Sequence, residues 1–563
     1  MGNLIEAPDL AALPELYWVA IAACIFGFFM SFGIGANDVG NCFATTVAAK
    51  SLTLLQAVGV AAVFEFAGAA LLGASVTKTI RSGILDMDAY EGKQQTLAFG
   101  MLVALVNASF WLILATAYGL PVSTTHTIIA AIVGFSIAAE GFDSIKWGSC
   151  SKIFISWVAA PAITGFIGYV MFWLVRTFVL KSDSPFNRAA LTYSLTIFVT
   201  LTINIFFVMH KGLKRMGLDT GLKLAVSFGV AFAIALIFQF LIVGKLKSRI
   251  VRMEEERETA EEELRAGMLS VAEEDVTCGG NTDCHAQGAA SCEKVTSLDD
   301  EEANDPLKPN QVKDETAGAT FVVEEEPPSG FKAKMMVKLK ELADATYNRD
   351  LEGEALDMDD DAADIWDKAE VYDAKAEILY SYLQVFTACC LSFAHGSNDV
   401  ANAVAPICAV LAIYDTGVLS SKAPVPSWIL VMGAFGIVVG LALFGYKVII
   451  SIGYRLTKLS PSRGFCIQLS TCLVVVTASY LGIPVSTTQS TIGGTIGVGA
   501  VEGVGGVQWY FMGTVFFGWV ASFFITALTS AGIMAFCFYS PSSVIYYNLE
   551  QFNMTNPYWN TED

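Results

Sequence analysis

Charge is what this 563-residue chain has least of: 16% of its residues are Asp, Glu, Lys or Arg, against 54% hydrophobic, and its mean hydropathy is +0.54. That excludes an ordinary water-soluble globule, in which about a quarter of residues are charged. Lys and Arg are absent from residues 1–49 and again from 464–563. No cleavable leader is read, because the first apolar run opens at about Leu16 behind an acidic stretch and is long enough to span a membrane. No nucleophile–base pair or metal cluster accompanies the apolar runs, which argues against an enzyme and against a cofactor. Cys278, Cys284, His285 and Cys292 match no zinc ribbon or finger spacing. Cysteines such as Cys24, Cys389, Cys390, Cys472 and Cys537 fall in apolar runs and read as small buried thiols, not a disulfide framework. The net charge of −20 says little about partners, since roughly 35 of the 54 acidic residues lie between 245 and 376. No nucleic-acid partner is implied.

What is present is a series of apolar runs of about 20 residues: 15–34, 52–74, 95–119, 121–140, 152–180, 189–210 and 220–244, then 378–397, 427–451, 464–482, 484–500 and 507–537. Backbone groups in lipid must pair within their own segment, so the fold class is an all-α polytopic membrane bundle of about 12 segments, with the lipid bilayer as its solvent. Basic residues flank the acidic insert (Lys245, Lys247, Arg249, Arg252; Lys332, Lys334, Lys338, Lys340). The positive-inside bias therefore puts that insert in the cytoplasm and both termini outside; the Asn553-Met554-Thr555 sequon agrees with the C-terminal side.

The chain also says two phrases twice. Gly35-Ala36-Asn37-Asp38-Val39-Gly40-Asn41 returns as Gly396-Ser397-Asn398-Asp399-Val400-Ala401-Asn402, and Gly119-Leu120-Pro121-Val122-Ser123-Thr124-Thr125-His126 as Gly482-Ile483-Pro484-Val485-Ser486-Thr487-Thr488-Gln489. Trp157-Val158-Ala159 and Trp519-Val520-Ala521 make a weaker third pair. Echoes that keep register mean a duplicated unit. With two extra segments between the copies, the second enters from the opposite face, giving inverted repeats with broken helices or re-entrant hairpins. The expected organisation is a first repeat at 1–180, intervening helices at 181–244, an acidic and mostly disordered cytoplasmic loop at 245–376, a second repeat at 377–540 and an extracellular tail at 541–563.

Each phrase has a chemistry. The glycine ahead of each Asn-Asp pair allows the helix to break; freed carbonyls, Asn oxygens and one carboxylate make an all-oxygen site for a hard cation. The bland alternative is a helix cap. Gly-X-Pro ends one helix and Ser-Thr-Thr opens the next, so unpaired amides, the positive end of the dipole and three hydroxyls offer an anion site without a lysine. The alternative there is an N-cap plus interhelical Ser/Thr packing.

These four phrases resemble the signatures of the inorganic phosphate transporter family of cation–phosphate symporters, and the resemblance covers both membrane halves. It implies uptake of inorganic phosphate coupled to a cation, with sodium as the coupling ion in eukaryotic members that carry a large cytoplasmic loop, and a homodimer formed through the remaining helices. It implies that Asp38 and Asp399 are essential, that Ser123, Thr124, Thr125, Ser486, Thr487 and Thr488 bind phosphate, and that Glu65 is functional, although a buried carboxyl that stays protonated is the plainer reading. Asp38 and Asp399 are expected to bind phosphate too, since a carboxylate beside the anion accepts a hydrogen bond from the P–OH of hydrogen phosphate. The second-half position corresponding to Glu65 is read as Gln468, where the resemblance leads one to expect glutamate. The expected sodium ligands are Asn37, Asp38, Asn41, Asn398, Asp399, Asn402, Glu65 and Gln468. His126 reads as the hydrogen-bonding neighbour of its triad, replaced by Gln489 in the second copy. The expected activity is sodium–phosphate symport at the plasma membrane; proton coupling, or a phosphate sensor signalling through the loop to unidentified partners, are the rivals.

Overall fold

A computed structural model describes residues 14–74, 76–77, 80, 83–212, 219–259, 262, 350–417 and 425–539. The Cys278–Cys292 cluster, the lysines at 332–340 and the tail with its sequon lie outside the described residues. Contacts divide the chain into a body, 1–251 with 346–563, and a second unit, 252–345, of which only 252–259 and 262 are described, as helix.

Among the described residues the body is built of helices without strands. α1 (Tyr17–Ile34) passes through one wide π-type turn, Gly35–Val39, into α2 (Gly40–Ala48). Thr53 opens α3 (Leu54–Leu72) with a reciprocal capping box to Gln56, which satisfies two amides that the helix start would leave bare. α4 (Gln94–Ala117), α5 (Thr124–Glu140), α6 (Trp147–Val175), α7 (Pro185–Phe207) and α8 (Thr220–Ile237) follow. After the insert come α9 (Leu351–Asp357), α10 (Asp360–Lys368), α11 (Ala374–Thr416), α12 (Ser427–Phe444), α13 (Tyr446–Arg455), α14 (Pro461–Leu481), α15 (Thr487–Gly499) and α16 (Trp509–Tyr539).

Ten of the described helical stretches are long and apolar enough to cross a bilayer, fewer than the twelve apolar runs suggest. The difference lies in 121–140 and 484–500. Gly119 (φ +65°) and Gly482 (φ +72°) end the preceding helices in the left-handed region, and a proline follows each two residues on. What is left are helices of 17 and 13 residues, about 25 and 20 Å long against a core of about 30 Å. Hydropathy counts them; length does not.

Glycine does something other than expected in the Asn-Asp phrases. The first copy widens by a π turn, but the second runs unbroken inside the 43-residue α11, so no second helix break frees carbonyls there. The glycines allow close approach instead. A Cβ on Gly35 would stand 1.8 Å from Ile437 O, and one on Gly396 would stand 2.3 Å from Glu65 O. The contact recurs one turn along: Gly440 meets Phe32 O (1.9 Å) and Gly68 meets Phe393 O (2.1 Å). α12 thus packs on α1 as α3 packs on α11, residue for residue. This pairing corrects one equivalence: the counterpart of Glu65 is Ile437 on α12, not Gln468, which lies on α14.

The end of the insert is also more ordered than its composition suggests. Asp350, Asp359 and Asp373 cap α9, α10 and α11 by accepting the amides of Gly353, Ala362 and Ala376, so acidic residues there are helix starts and not only solvated charge. The segment is then tied down on both halves. Glu352 pairs with Lys50 (2.6 Å); Asp359 receives Arg455 Nε (2.8 Å) and Gln508 Nε2 (2.6 Å); Trp366 Nε1 donates to Tyr454 O (2.9 Å). Glu370 collects Arg176 (2.5 and 2.8 Å), Lys181 (2.8 Å) and Tyr372 (2.8 Å).

The hydrogen bond from Arg176, helped by Lys181 and Tyr372 against a smaller opposing effect of burial, pulls the Glu370 carboxyl down to about 2. A carboxyl depressed in the folded state contributes stability that is complete above its unfolded value of about 4.3 and is lost as pH falls through about 2. The melting temperature of purified protein is expected to drop between pH 5 and pH 3, and to drop less in Glu370→Gln.

Candidate functional site

The two extended turns that precede α5 and α15 are each held by an asparagine. Asn37 Nδ2 donates to Leu120 O (2.9 Å) and Thr116 Oγ1 (3.0 Å), and its Oδ1 accepts from Val122 N (3.0 Å). Asn398 Nδ2 donates to Val485 O (3.1 Å) and to Asp399 Oδ1 (3.0 Å). Both residues act as clamps on the turns; in Asn37 this engages the amide oxygen expected to meet sodium, whereas Asn398 Oδ1 accepts from Ser479 Oγ at 3.5 Å. Ser123 and Ser486 act as N-caps, accepting the amides of His126 (3.3 Å) and Gln489 (3.2 Å).

The threonines meet the aspartates, and they cross between halves. Asp38 Oδ2 accepts from Thr124 of its own half, and its Oδ1 accepts from Thr488 of the other (2.6 Å). Thr487 donates to Asp399 Oδ2 (3.0 Å). Asn41 Nδ2 donates to Thr488 (2.9 Å), and Asn402 Nδ2 lies 3.2 Å from both Thr124 and Thr125. Every one of these side chains is buried. The N-termini of two half-length helices, one from each copy, therefore open on one buried pair of carboxylates. Three hydroxyls, those of Thr124, Thr487 and Thr488, and the first unpaired amides of α5 and α15 point the same partial charge at that place.

A residue that the sequence reading passed over completes the cluster. His395, one position before the second phrase, puts Nδ1 2.9 Å from Glu65 Oε2 and Nε2 2.8 Å from Asp399 Oδ2, the latter a close contact off the hydrogen-bonding direction. Ligand atoms of Asp38, His395 and Asp399 lie within 4.8 Å of one another. Position and contrast could have exposed it: the chain has four histidines, and this one stands where the first copy has Ile34. The Glu65–His395 pair on one side thus answers to Ile437 and Ile34 on the other. Gln468 lies elsewhere. Its amide donates to Thr46 Oγ1 (2.5 Å) and approaches Cys42 O, while Thr387 donates to its oxygen (2.9 Å).

Three carboxylates with one imidazole, all inside a membrane bundle, carry more negative charge than burial tolerates unless cations or protons join them. Asn41 Oδ1 is buried without a partner and offers a neutral oxygen beside them. The residue pattern of the phosphate transporter family matches residues 34–530. The chain belongs to that family. This family member is 30% identical to sodium-dependent phosphate transporter 1-A of Danio rerio, over 95% of its own length and 97% of the relative's. It is 31% identical to the phosphate-repressible phosphate permease pho-4 of Neurospora crassa, over 92% and 96%. A solved structure, the sodium-dependent phosphate transporter, superposes with TM-score 0.64 at 27% identity, covering 92% of this chain and 98% of that one. The transporter is a multi-pass membrane protein, and its family is one of carriers, not enzymes.

Proposed function

We propose that this transporter imports inorganic phosphate by symport with sodium ions, across a plasma membrane with both termini outside and the insert inside. The observation that carries the reading is Asp38, gripped by Thr124 from one half and Thr488 from the other. Phosphate takes the place between the α5 and α15 N-termini, receiving amides and the hydroxyls of Thr124, Thr125, Thr487 and Thr488, while Ser123 and Ser486 keep the helix starts in shape. Sodium ions neutralise Asp38 and Asp399, with Asn41 Oδ1 as a further oxygen; Asn402 stands at the equivalent place in the second half. Glu65 belongs to the same charge cluster through His395, and Gln468 serves the helix packing beside it.

The charges set an order. With Asp38 and Asp399 bare, an anion meets repulsion in a low dielectric; with cations in place, the threonines are released to turn toward phosphate. Cations bind first. Each net positive charge that enters with the anion is driven by about 2.3 kcal/mol per 100 mV. The doubled glycine contacts support inverted repeats, and rocking of one half against the other exposes the site to each face in turn; a homodimer through the remaining helices fits the exposed apolar side chains of α7 and α8, such as Leu191, Leu195, Phe228 and Phe232.

Replacing sodium by choline at fixed pH is expected to abolish uptake of labelled phosphate into liposomes holding the purified protein. His395 between Glu65 and Asp399 favours one rival, proton coupling, and unchanged uptake in choline would establish it over sodium.

A further inference from the structure

A cavity of about 410 Å³ opens between α6, α15 and α16. Three pairs of repeat equivalents line it: Phe154 with Phe516, Trp157 with Trp519, and His126 with Gln489. Its mouth is lipid-facing, since Phe516 remains 59% exposed. Its lining residues carry unsatisfied polar atoms: His126 Nε2, Gln489 Oε1 and Trp157 Nε1 are all buried without a hydrogen-bond partner. His126 and Gln489 are near enough to interact, yet neither of these atoms reaches bonding geometry. The indole in the second half is different, because Trp519 Nε1 donates to Pro121 O (3.2 Å). Of these two equivalent indoles, it is Trp157 whose N–H is buried and unpaired. Buried polar groups left this way cost free energy that a matching ligand would recover.

We infer that this cavity is a binding site for a small uncharged molecule that has an aromatic ring and one hydroxyl and enters from the lipid. Phosphate and sodium are excluded by walls that offer no carboxylate, lysine or arginine. An acyl chain would fill the volume but leave all three polar atoms bare. A ring hydroxyl can accept from Trp157 Nε1 and donate to Gln489 Oε1, while its ring lies among Phe154, Phe516 and Trp519. His126 and Gln489 are also the residues whose amides Ser123 and Ser486 cap. A bound ring would therefore touch both half-helix starts from behind and resist their relative movement.

The test is binding of 4-propylphenol and propylbenzene to the full chain in lipid nanodiscs, corrected by protein-free nanodiscs, a readout that does not depend on which ion or substrate is carried. The phenol is expected to bind about threefold to tenfold more tightly than propylbenzene, the usual worth of one hydrogen bond. Trp157→Phe should reduce that preference while still binding both, since the bond to Gln489 Oε1 remains. Gln489→Leu should reduce it, and decides the matter should the tryptophan variant fail to fold. Equal binding of the two probes to the wild type, as for a groove that takes any apolar chain, overturns the assignment, as does a preference that neither substitution lowers.

Discussion

Asp38→Asn is expected to lower phosphate uptake by at least about 100-fold while the protein still reaches the membrane. Each oxygen of Asp38 accepts a threonine hydroxyl, one from each half. Bonds to a charged group are each worth about 1.5–3 kcal/mol, so losing one and a half of them corresponds to about one and a half to three decades in an equilibrium constant, and the lost charge for a cation adds to that. Asparagine keeps one acceptor oxygen but turns an NH₂ toward the other hydroxyl, and it brings no charge for a cation. The shape is kept, so the deficit belongs to chemistry: initial uptake rates in liposomes of equal protein content measure it, and uptake within about tenfold of wild type would remove Asp38 from the centre of the site. Thr488→Val should weaken uptake by a smaller factor, since it removes a single donor.

The second large effect is structural. Gly440→Ala is expected to prevent accumulation of folded protein, because the new methyl would lie 1.9 Å from Phe32 O and 3.0 Å from Ala36 N, both backbone atoms that cannot move without shifting α1. Overpacking of this kind costs about 1–3 kcal/mol when side chains yield, and more when only a helix can. Gly59→Ala is the matched control. Nothing lies within 4 Å of its added carbon, and in a helix interior alanine is favoured over glycine by about 1 kcal/mol. The yield of monodisperse detergent-solubilised protein separates the two, with loss expected for Gly440→Ala and wild-type yield or better for Gly59→Ala.

Much of the fold and the site is legible in the repeated phrases. Gly119-Leu120-Pro121 and its echo state a helix end, and the following Ser-Thr-Thr states a helix start; the left-handed glycines and the serine caps are where those rules put them. The aspartates and threonines meet because copies of one unit pack in the same way. What stays hidden is what depends on distance in space. A count of apolar residues gives α5 and α15 the standing of full spans, because hydropathy does not register a proline turn that shortens them. The glycines before Asn-Asp suggest broken helices, since sequence does not show that Ile437 O and Glu65 O press against them. Gln468 passes for the twin of Glu65 until packing pairs α3 with α12. His395 escapes a search built on identity between copies, because its meaning lies in the difference from Ile34.

The threonine–aspartate bonds do not respect the boundary between halves: Asp38 leans on Thr488, and Asn402 leans on Thr124. Neither half could therefore assemble a working binding pocket from its own residues. An ancestor of half this length would have needed a second copy of itself to complete this cluster. Fusion into one chain freed the two copies to diverge, and the glutamate–histidine pair on one side, facing isoleucines on the other, is the form that freedom has taken here.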